Sequence, residues 1–276
     1  MKLDTLFVTI TKKAEAGEIM NKKQDYIAVF DSGVGGISVL KELMQLMPEE
    51  NYLYFGDSAN APYGNRPTEQ VRSLTLESAR YLVDCGIKAL VVACNTATSA
   101  AIEILRQTYQ DLIVVGIEPA LKLAADRFPN GRIGVMATQV TLREEKFAHQ
   151  LERFPNAQVS LIPAPGLVEL VEAGGANTPA AEQLLMPILA PYRGKLDALV
   201  LGCTHYPFVK ETIGNILGEE TMLLDGGEGT ARQTKRCLEQ AQLLNEGLGS
   251  LRMENSCQDA RLLRLCMELL KEKEYG

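Results

Sequence analysis

Tryptophan is absent from this 276-residue chain, and histidine occurs only twice. Two imidazoles are a poor start for a metal centre; Cys203 and His205 hint at zinc, but no further ligand set accompanies them and their spacing is not that of a finger. No apolar run reaches the ~18 residues that cross a bilayer. The patch Leu6 to Ile10 is shorter than the ~7–15-residue core of a secretory signal, and no small-residue cleavage site follows it. Positive charge is scarce too: 28 Lys and Arg stand against 35 Asp and Glu, a formal charge of −7. That balance argues against broad phosphate-backbone binding and so against nucleic acid as a partner. It leaves room for a small anion held by local donors. C-x-x-C spacing is missing among the six cysteines (85, 94, 203, 237, 257 and 266). A zinc knuckle or thioredoxin-type motif is therefore not expected. Free thiols in a reducing, cytoplasmic compartment are.

Cofactor loops are also wanting. "FDSGVGGISV" (30–39) lacks the G-K-[ST] of a P-loop and fails G-x-G-x-x-G at Ser38. Asp31, at a strand end, would repel phosphate. No lysine stands out as a pyridoxal-phosphate anchor. The reading expects no cofactor, and acid–base work done by side chains.

What is present is a repeated alternation. "YIAVF" (26–30), "NYLYFGD" (51–57), "IKALVVAC" (87–94) and "LIVVGI" (112–117) read as buried strands. Helical stripes lie between them, such as Val39, Leu40, Leu43, Met44 and Met47, and then Val71, Leu74 and Leu82. The pattern then restarts with "RIGVMAT" (132–138), "AQVSLIPAPG" (157–166), "LDALVLGC" (196–203) and "ETMLLDGG" (220–227). This predicts two similar three-layer α/β units with mainly parallel sheets, related by a pseudo-two-fold, with the site in the cleft between them. The expected division is an extension over 1–24, a first unit over 25–118 plus 228–276, and a second over 119–227. The tail reads as two helices (228–246 and 257–274) with no strand after them.

In open parallel sheets, ligands sit beyond the carboxyl ends of the strands. Cys94 and Cys203 both fall there, each ahead of a helical start. A helix N-terminus should lower their pKa and favour thiolates. A thiolate on one side of a substrate and a thiol on the other could carry a proton across a stereocentre. Asp31 and Ser32 suit ammonium binding or proton handling. "DSANAPYGNRP" (57–67) could offer the Tyr63 hydroxyl and a backbone N–H of Gly64. His205 is placed to tune Cys203, while His149 reads as solvated. The other four cysteines read as small apolar packing residues.

Together, "DSGVGG" (31–36), "PYG" (62–64), "ACNTAT" (93–98) and "GCTHYP" (202–207) resemble the glutamate racemase family in order and spacing, from about Tyr26 into the 220s. The resemblance implies a cofactor-independent racemase that interconverts L- and D-glutamate, the latter for peptidoglycan. It implies Cys94 and Cys203 as the two acid–base groups, serving the D- and L-enantiomer respectively. Asp31, Glu172 and His205 would assist, with Glu169 competing for the place of Glu172. Ser32, Tyr63, Gly64, Asn95, Thr96, Thr138 and Thr204 match substrate-holding positions, as do Asp31 and His205. The family pattern has glycine where Ala137 and Val140 stand, beside Thr138 and Thr141. The resemblance also raises a homodimer, a cell-wall precursor as activator, action on a related acid such as aspartate, and a binding role such as inhibition of DNA gyrase.

Overall fold

The computed structural model describes residues 22–118, 120–143 and 151–271, without the side chains of Val140 and Arg143. The reading of His149 lies outside these residues. Among the described residues, nine strands form two sheets. The first four are β1 (Tyr26–Asp31), β2 (Asn51–Gly56), β3 (Ile87–Val92) and β4 (Ile113–Gly116). Then come β5 (Arg132–Ala137), β6 (Gln158–Pro163), β7 (Ala198–Leu201), β8 (Met222–Asp225) and β9 (Ser250–Asn255). Every pairing is parallel. Helices are α1 (Ile37–Leu46), α2 (Thr68–Asp84), α3 (Asn95–Thr108), α4 (Leu121–Arg127) and α5 (Gln139–Arg143). They continue as α6 (Leu167–Glu172), α7 (Pro179–Leu189), α8 (Lys210–Leu217), α9 (Gly227–Gln240) and α10 (Ala260–Lys271).

The first sheet runs β4-β3-β1-β2-β9 and the second β6-β5-β7-β8. Reversed and matched element for element, the second repeats β4-β3-β1-β2. Both sheets therefore place their first and third strands side by side at the centre. Cys94 and Cys203 follow those third strands, so the repeat seen in sequence is a repeat of position in the fold. Parallel strands covered on both faces must be apolar throughout. Ile27, Ala28, Val29 and Phe30 obey this, each at most 1% exposed.

One expectation fails. The tail does contain a strand: β9 lies between the two tail helices and extends the first sheet beside β2, Leu53 opposite Arg252. Only Leu251 and Met253 of its inner residues are apolar, and it is an edge strand that needs no more. A core cluster runs without a break from α1 of the first unit (Leu40, Leu43) to Val171, Leu199, Tyr206 and Ile213 of the second. Each such side chain is worth about 1.5–3 kcal/mol when fully buried. The units thus share apolar packing at their junction. Among the described residues, no helix is long and apolar enough to cross a membrane.

Candidate active site

The loop 31–36 leaves β1 and presses into the second unit. Asp31 is fully buried and accepts from its own loop, Gly33 N–H, at 2.9 Å, rather than capping α1. Its other oxygen accepts from the Thr204 hydroxyl across the units at 3.0 Å. Burial raises the Asp31 pKa, against the opposing pull of His205 and the Gly33 N–H. Two glycines make the approach possible. A Cβ on Gly33 would lie 1.8 Å from Glu172 Oε1, and one on Gly35 would lie 2.4 Å from His205 Nδ1.

Cys203 lies just beyond β7, with its Sγ 3.7 Å from His205 Nδ1. The other ring nitrogen, Nε2, is 2.7 Å from Glu172 Oε1. That same oxygen accepts from Val34 N–H at 2.8 Å. Burial opposes charge on His205, but Cys203 and Glu172 together outweigh it and hold its pKa well above the ordinary value. Burial likewise works against the Glu172 carboxylate, and the His205 contact still brings its pKa down. The arrangement favours an imidazolium–carboxylate pair beside Cys203. Glu172, not Glu169, touches His205. Glu169, one turn earlier on α6, faces Asn65 instead (3.2 Å).

Cys94 is the N-cap of α3, its sulfur accepting from Ala97 N–H at 3.5 Å and lying 3.6 Å from Ser32 Oγ. The helix start should lower its pKa; the structure shows the reverse. Burial first, and then the Asp31 carboxylate, push the thiol up to about 12, and the two hydrogen bonds recover only part. Charge on Cys203 adds to this rise. Beyond Cys203 the chain forms a 3-10 turn, Tyr206–Val209, with Pro207 in its first positions, and only then α8.

Several matched residues line the same region. Asn95 is 7% exposed, and its Oδ1 has no hydrogen-bond partner among the described residues. Thr96 Oγ1 lies 3.3 Å from Thr141 Oγ1 of the other unit, which is 3.0 Å from Thr138 Oγ1. Gly64 packs against Thr138. The Tyr63 hydroxyl is not free, as the loop sequence suggested: it donates to Asp57 at 2.6 Å. Of the remaining cysteines, Cys266 is buried behind the site, where burial and the charges of Glu172 and Asp31 raise it to about 12. Cys257, read as a packing residue, is exposed on a turn. Asp57 has no local mark in the sequence; the acid six residues before Tyr63 acquires meaning only by contact.

The Asp/Glu/Hydantoin racemase family profile matches residues 36–234. Glutamate racemase of Clostridium perfringens (strain ATCC 13124) is 44% identical over 251 residues, covering 90% of this chain and 96% of that one. The crystal structure of the Francisella tularensis glutamate racemase in complex with D-glutamate superposes with a TM-score of 0.79 at 28% identity, over 92% of this chain and 96% of that one. That of the Escherichia coli glutamate racemase, in complex with L-glutamate and the activator UDP-MurNAc-Ala, gives 0.72 at 35%, over 78% and 83%. The chain belongs to the Asp/Glu/hydantoin racemase family, on its glutamate racemase branch.

Proposed function

We propose that this protein interconverts L- and D-glutamate by passing the Cα proton between Cys94 and Cys203. One observation carries the reading: two buried thiols stand at equivalent strand-end positions of two like-ordered sheets, and charge on Cys203 adds to the rise of the Cys94 pKa. A racemase needs this, because the proton must leave one face of Cα and return to the other.

The two thiols are served differently. Cys94 holds its proton, being buried beside a carboxylate. Cys203 has His205 beside it, kept protonated by Glu172, to balance a thiolate. In one turnover the Cys203 thiolate takes the Cα proton and becomes a thiol. The carbanion then takes a proton from the Cys94 thiol on its opposite face, leaving a thiolate there. The reverse reaction starts from that second form. By the family assignment, Cys203 works on L-glutamate and Cys94 on D-glutamate. Asp31, beside Thr204, stands where a substrate ammonium would be held, with Ser32 next to it. Asn95 Oδ1, lacking a partner among the described residues, and the Thr96, Thr138 and Thr204 hydroxyls are the donors and acceptors for the carboxylates and the ammonium, with Gly64 offering its backbone. Tyr63 shapes this wall through its bond to Asp57. Fixed dipoles in a dry cleft are what such a weakly acidic C–H requires.

Supply of D-glutamate to peptidoglycan in the cytoplasm follows from that activity. A homodimer and activation by a nucleotide-linked muramoyl-alanine are extensions suggested by relatives; unchanged activity on adding UDP-MurNAc-Ala would sink the second. The deciding experiment is incubation with L-glutamate in D₂O, with L-aspartate alongside. Loss of optical rotation with deuterium at Cα of glutamate is expected. Cys94→Ala and Cys203→Ala should each abolish it in folded protein. Near-normal turnover in either variant would refute the two-base reading, and no exchange in the wild type would favour a binding role.

A further inference from the structure

Strand β2 carries two buried tyrosines whose hydroxyls both meet backbone carbonyls. Tyr52 and Tyr54 are two residues apart, so their rings share one face of the sheet. Each is 1% exposed, in the same apolar cluster. Packing asks only for a ring, as Phe30 and Phe55 supply in the cluster on the opposite face. A phenol oxygen in such surroundings is a cost unless it is bonded. The Tyr52 hydroxyl lies 2.8 and 2.9 Å from the Leu43 and Met47 carbonyls, at the C-terminal end of α1. The Tyr54 hydroxyl donates at 2.6 Å to the Gly33 carbonyl, in the loop ahead of that helix.

The Gly33 carbonyl and the Val34 N–H belong to one planar peptide group. That group is trans, so its two polar ends point in opposite directions. Both ends are held: the carbonyl by Tyr54, and the N–H by Glu172 Oε1 at 2.8 Å. Any turn or shift of the plane moves both bonds at once. The same Glu172 oxygen meets His205 Nε2 at 2.7 Å, and His205 Nδ1 lies 3.7 Å from Cys203 Sγ. The carbonyl has little room, since a Cβ on Gly56 would stand 2.5 Å from its oxygen. An unbroken series of contacts thus runs from the Tyr54 hydroxyl, through one peptide, to the Cys203 sulfur.

We propose that Tyr54 is a positioning residue for the Cys203 half of the site: by fixing the Gly33–Val34 peptide it sets where Glu172 stands, and so orients the imidazole beside the thiol. It acts through the loop backbone and not by contact with a reacting atom. The inference rests on the racemase reading, and wild-type inversion of glutamate tests that reading separately: an active wild type with an indifferent Tyr54 would sink the positioning role alone.

Tyr54→Phe keeps the ring and removes the donor. From either enantiomer kcat should fall about three- to tenfold. KM should change less than about twofold, because Asp31 keeps its own bonds from the Gly33 N–H and the Thr204 hydroxyl. Tyr52→Phe is the control. It deletes an equally buried hydroxyl from the same strand without reaching Glu172, so it should lower the urea midpoint and leave kcat within about twofold. Gly56→Ala pushes on the same carbonyl with the tyrosine intact and should repeat the fall in kcat, which keeps the test open if Tyr54→Phe does not fold. In a Glu172→Gln background, Tyr54→Phe should cost less than about twofold further. A folded Tyr54→Phe or Gly56→Ala protein with kcat within about twofold of wild type overturns the proposal. So does a fall confined to KM, one that Tyr52→Phe reproduces, or one that multiplies in full with Glu172→Gln.

Discussion

Replacing Gly33 by alanine tests the site through space alone. Gly33 is not in the left-handed backbone region, so alanine adds a methyl without backbone strain. That methyl would stand 1.8 Å from Glu172 Oε1, where ordinary contact begins at 3.4 Å, so the carboxylate must retreat by roughly 1.6 Å (3.4 − 1.8). The retreat breaks the 2.8 Å bond from Val34 and the 2.7 Å contact with His205. Hydrogen bonds to charged groups contribute about 1.5–3 kcal/mol each. Loss of one such contribution in the transition state lowers kcat/KM by roughly 10- to 150-fold. The two enantiomers are equal in energy, so the fall must be the same from L- and from D-glutamate, even though Glu172 lies on the Cys203 side, joined to it through His205. Circular dichroism started from each enantiomer reads both rates. A folded Gly33→Ala protein with near-wild-type kcat/KM would refute the argument that this carboxylate has to be where it is.

Three further outcomes are expected. Glu172→Gln should cost most stability near pH 5–6. His205, whose pKa is raised by folding, contributes fully below its unfolded value of 6.5 and loses that contribution as pH rises through the folded value. Glu172, whose pKa is lowered, contributes above 4.5 and loses it as pH falls through the folded value. Urea midpoints across pH, wild type against variant, check the window; a flat difference would sink the coupling. Lys88→Met should destabilise by about 3–5 kcal/mol, because Lys88 and Glu50 form a buried ion pair at 2.5 Å. Chemical unfolding measures it, and Glu50→Leu in addition should recover part. Finally, Cys94 should resist iodoacetamide at pH 8 relative to exposed Cys257, since a thiol near 12 is about one part in ten thousand ionised. Mass spectrometry of timed digests would expose equal labelling.

Both sheets and the two strand-end cysteines were legible in sequence because buried parallel strands are continuous apolar runs. β9 was not, because an edge strand needs only alternate apolar residues and "SLRMEN" has two. The pair His205 and Cys203 could be read locally, being two residues apart. Glu172 and Glu169 could not be separated, since residues three apart share a helix face; the depth of Gly33 decides between them. The sign of the Cys94 shift runs against the local expectation for a similar reason. The helix start is a local feature, but the carboxylate that opposes it comes from Asp31, 63 residues earlier (94 − 31) and on another strand.

The pairing of β9 with β2 also bears on the order in which the molecule can be completed. The first sheet opens at Tyr26 and is not finished until Asn255, with the whole second sheet made in between. During synthesis the later-born half can therefore close before the earlier one does. Until the last residues emerge, β2 presents an unpaired edge, the surface on which strands of other chains dock. A stop codon between β8 and β9, after Asp225 and before Ser250, would spare both cysteines and leave that edge bare, so such truncations should show up as aggregates before they show up as slow enzymes.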